Sequence, residues 1–331
     1  MPLPAIISWG AAAAVATIVA VLRSGPADFA PGVCERVEPY LLEHLVGQDL
    51  AVRQLCDAVC DHVGAERPAR PLVLSVHGPP GVGKSLLHLL LARSLYSTRP
   101  SASQRCPGPD CGGYKVFYGM DYVAAEREAQ HAHMRGALLA HVRLHPQSLL
   151  VVEEYDKLDC ATRGLFRQLI ENPASANVSL ERSIIVLESN TGYSQLHGML
   201  VEAGDRSLVS MEAAQRALKD LVFGRWLDEA CEPRADTLKS VGLVDFFLPF
   251  LPLERRHLVA LFEARLRERR DAWRRAEGAE LAWAPDVSDF LADRVDYDGA
   301  FPIEGAKEVA TLMTRYVTRA LRERTLPASG L

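Results

Sequence analysis

The feature that most constrains this fold is the octapeptide 78–85, which reads Gly-Pro-Pro-Gly-Val-Gly-Lys-Ser. It fits the pattern G-x-x-x-x-G-K-[ST], a loop whose backbone N–H groups surround nucleotide phosphates. An apolar strand is predicted just before it at Leu72–His77, and helix-forming residues follow it. Strand, loop and helix N-terminus in this order bring N–H donors and a helix dipole to one point. The sequence therefore predicts an α/β fold that binds ATP or GTP.

The pattern assigns chemical roles to the last two side chains of this loop. Lys84 is expected to reach the β- and γ-phosphates as a point charge, and the Ser85 hydroxyl is expected to ligate Mg²⁺. The alternative is a glycine-rich turn without a chemical role, which the flanking strand and helix disfavour. The other residues expected to line the phosphates are Gly78, Pro79, Pro80, Gly81, Val82 and Gly83.

A second nucleotide-binding element is predicted where the run Leu149–Val152 ends in Glu153 and Glu154. Such an apolar run is typical of a buried strand, and the carboxyl end of a parallel strand delivers its side chains to the ligand. We expect Glu153 to contact Mg²⁺ through water and Glu154 to act as the general base for the hydrolytic water. A strand followed by a solvated acidic turn is the alternative.

Two further polar residues complete the predicted site. Asn190 follows the apolar run Ser183–Glu188, and an amide at such a strand tip can hold the γ-phosphate or the attacking water. Lys307 opens a predicted helix near the C-terminus, from which it can fold back onto the γ-phosphate. Each residue alone is also compatible with a role that involves no ligand. Asn190 would then be a turn residue, and Lys307 would lie on a solvated helix.

The chain is predicted to divide into a targeting segment, a large domain and a lid. Strands alternating with helices up to residue 251 imply a parallel sheet covered by helices on both faces, and from residue 252 the pattern is all-helical. We assign residues 1–24 to a hydrophobic signal or anchor, 34–251 to the nucleotide-binding domain and 252–331 to the lid. The predicted strands are Leu72–His77, Tyr114–Tyr118, Ser148–Glu153, Ser183–Ser189 and Val244–Leu251.

These residues together resemble an AAA+ ATPase of the Clp/HSP100-like branch and, more narrowly, the torsin family. The stretches that carry the resemblance, which covers about residues 40–316, are Gly47-Gln48, Leu74–Gly78, Glu154–Leu158, Ser189–Gly192 and Leu243–Glu254. It implies ATP and Mg²⁺ as cofactors and a membrane-associated ATPase that remodels proteins or membranes in the endoplasmic reticulum lumen or nuclear envelope. It also implies assembly into homo- or hetero-oligomers.

The chain departs from the torsin pattern at several positions. Torsins commonly have Trp-Thr where this chain has Pro79-Pro80, and an Asp where it has Glu153. The redox-responsive cysteine pair proposed for the family falls on Ala306 and Leu261, which leaves that coupling in doubt. The chain therefore resembles a divergent member.

An arginine that oligomeric AAA+ enzymes direct at a neighbour's γ-phosphate is missing from the stretch 238–245. Torsins share this lack, and the resemblance implies that a membrane-bound activator of the lamina-associated polypeptide type supplies the arginine. Lys239 is a weaker substitute as a point charge. The alternative function is an ATP-binding scaffold or switch with little hydrolysis. A threading unfoldase, with Tyr118 and Tyr122 as pore aromatics, and a nucleotide kinase are less favoured.

The N-terminal segment predicts membrane association, since no residue from Ala5 to Leu22 is charged. A cleaved signal and a retained anchor both remain open. A sequon at Asn177 adds weakly to a luminal interpretation. The seven cysteines include Cys106 and Cys111, which can close a small disulfide in a turn-rich loop, whereas Cys56 and Cys60 are predicted to lie in the core.

The net charge excludes nucleic acid as the expected partner. At −5 overall, the chain produces no global field that attracts polyanions. An arginine-rich stretch at 265–275 is interleaved with acidic residues at helical spacing, which is typical of a solvated helix face.

Overall fold

The computed structural model describes residues 28–103, 105–122, 127–158, 160–171, 178–230 and 232–325. The apolar segment Ala5–Leu22 and the sequon residue Asn177 lie outside these ranges. Within the described part of the chain, no helix is both long enough and apolar enough to cross a membrane.

The large domain is built on a parallel sheet, as the alternating pattern predicts. Five strands pair in the order β2-β3-β4-β1-β5, so the strand that precedes the phosphate loop lies between β4 and β5. In the register, Leu74 of β1 is paired with Val186 on one side and Phe246 on the other. The strands are β1 (Leu72–His77), β2 (Tyr114–Tyr118), β3 (Leu149–Glu153), β4 (Ile184–Ser189) and β5 (Phe246–Pro249).

Helices cover both faces of this sheet. Successive strand residues point to opposite faces, so apolar residues on each face need a layer of helices to cover them. Leu74 and Val186 pack with the first three helices, whereas Val73 and Ile185 pack in a separate core with the fourth and fifth. The helices of the large domain are α1 (Val33–His44), α2 (Asp49–Gly64), α3 (Lys84–Tyr96), α4 (Arg127–Leu144), α5 (Cys160–Glu171), α6 (Tyr193–Ala203), α7 (Met211–Asp228) and α8 (Arg234–Gly242).

The C-terminal lid is mainly helical, with α9 (Arg255–Glu277), α10 (Val287–Ala292), α11 (Lys307–Leu312) and α12 (Arg319–Thr325). Between α10 and α11 lies a small antiparallel hairpin of β6 (Tyr297–Asp298) and β7 (Phe301–Pro302), which the sequence analysis does not predict. Residues 313–318 form a wider π-helical turn between α11 and α12. Apolar residues of the lid belong to the same buried core as α1–α3, so the lid packs on that side of the sheet.

Arg206 joins the start of the lid to the rest of the molecule. Its guanidinium donates hydrogen bonds to the carbonyls of Gly47 (2.9 Å), Leu251 (3.1 Å) and Pro252 (2.8 Å) and to the carboxylate of Glu254 (3.1 Å). These acceptors come from the turn before α2 and from the connection between β5 and α9. One buried side chain thus holds together the segment where the large domain passes into the lid.

Among the described residues two disulfides form, and one of them differs from the expectation based on sequence. Cys106 and Cys111 pair as predicted, within the turn-rich loop before β2. Cys60 does not lie in the core as a free thiol but pairs with Cys34, which connects α1 to α2. The periodicity of α2 is compatible with either arrangement, and only the approach of α1 decides between them. Cys56 stays free and buried, and burial raises its thiol pKa to about 12.

Candidate functional site

The phosphate loop connects β1 to α3 and holds Lys84 in a defined position. Gly83, with φ of 101°, precedes the first residue of α3. The Lys84 ammonium donates to the carbonyls of Gly78 and Pro79, each at 2.9 Å, and to Oδ1 of Asn190 at 2.8 Å. The strand tip of β4 and the loop after β1 therefore meet at this lysine, which brings together two residues predicted to bind phosphate.

Lys84 is 5% exposed, and its surroundings include groups that lower its pKa and groups that raise it. Burial lowers the pKa of Lys84, nearby Glu188 opposes that shift, and the positive charge of Lys307 adds to it. An ammonium group held against backbone oxygens in a mostly water-excluded site is stabilised by anionic ligands. The loop is thus preorganised for a polyphosphate.

Beside Lys84, the start of α3 faces two carboxylates. The Ser85 hydroxyl lies 3.2 Å from both oxygens of Glu188 at the end of β4. Glu153, at the end of β3, is held by His88, whose Nε2 lies 2.9 Å from Glu153 Oε1 and 3.5 Å from Glu188 Oε2. The hydroxyl and the carboxylates supply the oxygen ligands that Mg²⁺ prefers, so this part of the site fits the predicted cation.

The charges of this cluster are strongly coupled. Burial opposes the charged form of His88, but its hydrogen bonds to the carboxylates of Glu153 and Glu188 outweigh that effect and raise the pKa of the imidazole. The hydrogen bond with His88 likewise lowers the pKa of Glu153 against the effect of burial. A positive group at this position therefore compensates for two carboxylates in a confined space.

Glu154 follows β3 in a left-handed conformation, with φ of 53°. Its backbone supports the turn, since its carbonyl accepts a hydrogen bond from the Lys157 N–H at 2.8 Å. The Glu154 carboxylate is half-buried and forms no hydrogen bond or ion pair with any residue that the structure describes. A carboxylate with this freedom is available to a water molecule, which the predicted role as general base requires.

The lid contacts the phosphate loop directly. The Ala306 N–H donates to the Gly81 carbonyl at 2.8 Å, and Gly305 packs against the backbone of Pro80 and Gly81. A Cβ at Gly81 would overlap the carbonyl oxygen of Glu304, so this contact requires glycine. Lys307 begins α11 next to this contact, with its side chain exposed. The predicted lid lysine therefore lies next to the loop.

Behind Asn190 runs a chain of buried polar groups. Nε2 of His77 lies 2.7 Å from the Ser75 hydroxyl, and its Nδ1 lies 3.1 Å from the Thr191 hydroxyl. The Thr191 hydroxyl lies 2.7 Å from that of Ser189, which donates to Asp156 at 2.9 Å. This chain fixes the strand tip from which Asn190 projects.

Two comparisons with known proteins point to one family. Residues 31–104, from the turn before α1 through the phosphate loop and α3, match the sequence model named Torsin. A torsin-like protein of Caenorhabditis elegans is 26% identical over 237 residues, covering 68% of this chain and 62% of the relative. One of Drosophila melanogaster is 23% identical over 285 residues (84% and 79%). Torsin-3A of Rattus norvegicus is 26% identical over 291 residues (83% and 67%).

The chain is thus similar to torsins, at 23–26% identity to these relatives. The five-stranded parallel sheet with a helical C-terminal part agrees with the AAA+ fold expected of such a protein. Nucleotide binding is the general property that this family and fold imply. The alignment spans less than two thirds of the worm relative, and the family model ends before Glu153, Asn190 and Lys307.

The site also contains residues for which the sequence pattern predicts no role. His88 is four residues after Lys84 in α3 and so lies on the same helix face, which is a spacing that could have been recognised. Glu188 is the last acidic residue of an apolar strand, but its contact with Ser85 depends on β4 lying next to β1. Arg206 gives no sequence signal, because its acceptors are backbone carbonyls distant in the chain.

Two residues named in the alternative predictions, Lys239 and Tyr118, lie in the described part of the chain. Lys239, the weaker substitute for an arginine, lies 3.3 Å from Asp236 one turn away in α8, so its charge is partly neutralised within the chain. Tyr118 is 52% exposed at the end of β2, as a surface or pore residue would be.

Proposed function

We propose that this torsin-like chain binds and hydrolyses ATP with Mg²⁺ and depends on a membrane-bound activator for full turnover. The observation that carries the proposal is the meeting of Lys84 with Asn190, beside Ser85, Glu188 and Glu153. Side chains from the ends of two adjacent strands and the start of one helix converge there, as nucleotide hydrolysis requires.

The residues have distinct roles in this proposal. Lys84 exchanges its backbone acceptors for the β- and γ-phosphates, and Asn190, already in contact with it, orients the γ-phosphate or the attacking water. Ser85 and the carboxylates would hold Mg²⁺, which would neutralise negative charge on the phosphates. Glu154 accepts the proton of the hydrolytic water. Lys307 binds the γ-phosphate, so the position of the lid depends on which nucleotide is bound.

The remaining group needed for rapid hydrolysis is an arginine. The stretch 238–245, just before β5, contains none. We assign it to an activator resembling the lamina-associated polypeptides, bound at the lumenal face of the endoplasmic reticulum or nuclear envelope. A missing arginine of this kind costs about 10³–10⁵ in turnover. The biological outcome we propose is remodelling of proteins or membranes, with the segment Ala5–Leu22 providing targeting.

One observation favours the second candidate, an ATP-binding scaffold with little hydrolysis. Glu153 is engaged by His88 at 2.9 Å, and a carboxylate held in this way is less available to the water shell of Mg²⁺. Nucleotide binding would then control lid position without chemical turnover.

Single-turnover hydrolysis with and without a lumenal activator domain distinguishes the two functions. We expect Lys84→Ala to abolish ATP binding, because it removes the ammonium group that contacts the loop carbonyls of Gly78 and Pro79. Glu154→Gln should retain binding and lose hydrolysis by at least about 10²-fold. Lys219→Ala, on the exposed face of α7, is the matched control. ATP binding without any turnover in the presence of activator would support the scaffold instead.

A further inference from the structure

The cluster of His88, Glu153 and Glu188 has a composition that magnesium-nucleotide binding does not require. Mg²⁺ takes oxygen ligands, whereas an imidazole suits transition metals such as Zn²⁺. The His88 side chain is 4% exposed and that of Glu188 10%. Burying a histidine between two carboxylates is costly unless each charge is compensated, so the arrangement calls for a positive species at its centre.

The spacing of the three ligand atoms fits a metal ion. One oxygen from each carboxylate and Nε2 of His88 lie within 4.8 Å of one another. The separations from Nε2 are 2.9 Å to Glu153 and 3.5 Å to Glu188. Ligands bound at about 2.1 Å in tetrahedral or octahedral geometry lie roughly 3.0–3.4 Å apart. Only small side-chain adjustments separate this cluster from a coordination shell.

The histidine is also oriented as a metal ligand. Its Nδ1 lies 2.6 Å from the Tyr114 hydroxyl, and when Nδ1–H donates to that oxygen, the Nε2 lone pair faces the two carboxylates. Metal-binding histidines are usually fixed by such a hydrogen bond from the second ring nitrogen. Tyr114 comes from β2, so three strands and α3 all contribute to the arrangement.

We propose that His88, Glu153 and Glu188 form a binding site for one divalent transition-metal ion that is occupied without nucleotide. The ion takes Nε2 of His88 and one oxygen from each carboxylate, which leaves further positions for water. The imidazole ligand makes the site prefer Zn²⁺ to Mg²⁺, and Mn²⁺, which suits the two carboxylates, binds more weakly than Zn²⁺.

The test is a titration of the untagged full chain with Mn²⁺ in the absence of nucleotide, followed by electron paramagnetic resonance of the free ion. We expect one bound Mn²⁺ per chain, displaced by an equimolar amount of Zn²⁺ and only by a large excess of Mg²⁺. Bound metal should also raise the thermal unfolding midpoint of the wild-type chain. Absence of any bound Mn²⁺ without nucleotide overturns the proposal.

Variants locate the site within the chain. His88→Ala should weaken Mn²⁺ binding by at least about tenfold, and Tyr114→Phe, which keeps all three ligands, should weaken it by about tenfold through loss of orientation. His44→Ala removes an exposed histidine of α1 and should leave the affinity unchanged. Equal affinities in all of these proteins would show that the metal binds elsewhere and would overturn the assignment.

The result does not depend on the proposed function, because it is measured without ATP. A chain that binds Mn²⁺ at His88 and fails to bind ATP refutes the ATPase proposal alone. A chain that binds Mg²⁺-ATP, and takes up Mn²⁺ only together with the nucleotide, refutes the separate metal site alone.

Discussion

The removal of the Arg206 side chain is expected to destabilise the connection between the large domain and the lid. The side chain is 12% exposed and contacts three backbone carbonyls and Glu254. We predict that Arg206→Ala lowers the free energy of unfolding by about 2–4 kcal/mol, the cost of two orphaned buried acceptors less the relief of a desolvated charge.

This magnitude follows from which acceptors lose their only donor. The Leu251 carbonyl keeps a hydrogen bond from Gln48 at 3.0 Å, and Glu254 keeps an ion pair with Arg256 at 2.9 Å. Among the described residues, the carbonyls of Gly47 and Pro252 have no other donor. Each orphaned acceptor costs about 1–3 kcal/mol, and the guanidinium no longer needs to be removed from water, which offsets part of the sum.

The assay is equilibrium urea unfolding followed by circular dichroism, with the slope m compared between proteins. Arg256→Ala is the matched control, because Arg256 pairs with the same carboxylate but is 61% exposed. Such an exposed pair contributes less than about 1 kcal/mol. If Arg206→Ala costs no more than Arg256→Ala at equal m, the assigned role of the buried carbonyl contacts is wrong.

Two further predictions concern stability. Cys34→Ser opens a disulfide that spans 26 residues, and loop-closure entropy predicts a loss of about 3.5 kcal/mol under oxidising conditions; wild type and variant should become equally stable in urea unfolding once both are treated with reductant, and no difference between them under oxidising conditions would contradict this. Burial lowers the pKa of His77 from 6.5 to about 4, so the unfolded state binds the additional proton and stability falls as pH drops from about 6.5 towards 4. Comparison of urea unfolding at pH 7 and 4.5 should therefore show about 2–3 kcal/mol less pH dependence in His77→Gln than in the wild type, and an unchanged dependence would assign the titration elsewhere.

Much of the architecture was predictable because it depends on local patterns. The apolar runs at 72–77, 149–153 and 184–189 are too short for helices and alternate with helical segments, which indicates a parallel sheet. The glycine and lysine spacing of the phosphate loop is likewise local. The hairpin 297–302 was missed because each of its strands has only two residues, which leaves no alternation to recognise.

The pairing of Cys60 was not predictable for a different reason. In α2 the positions of Cys56 and Cys60 are on one helix face, and an apolar face is equally consistent with two buried thiols. The approach of Cys34, whose Cα lies 5.4 Å from that of Cys60, depends on how α1 packs against α2. Such packing is decided by contacts between segments rather than by periodicity within one.

The sequence by itself determined the nucleotide-binding loop, the acidic strand end with Glu153 and Glu154, and the resemblance to torsins, since each depends on residues adjacent in the chain. The tertiary structure alone decided that Glu188 contacts Ser85, that His88 lies between two carboxylates, and that Ala306 bonds to Gly81. Those contacts join strand ends, a helix and a lid that are far apart in sequence. Strand order and domain packing bring them together, and neither property is encoded in any local pattern.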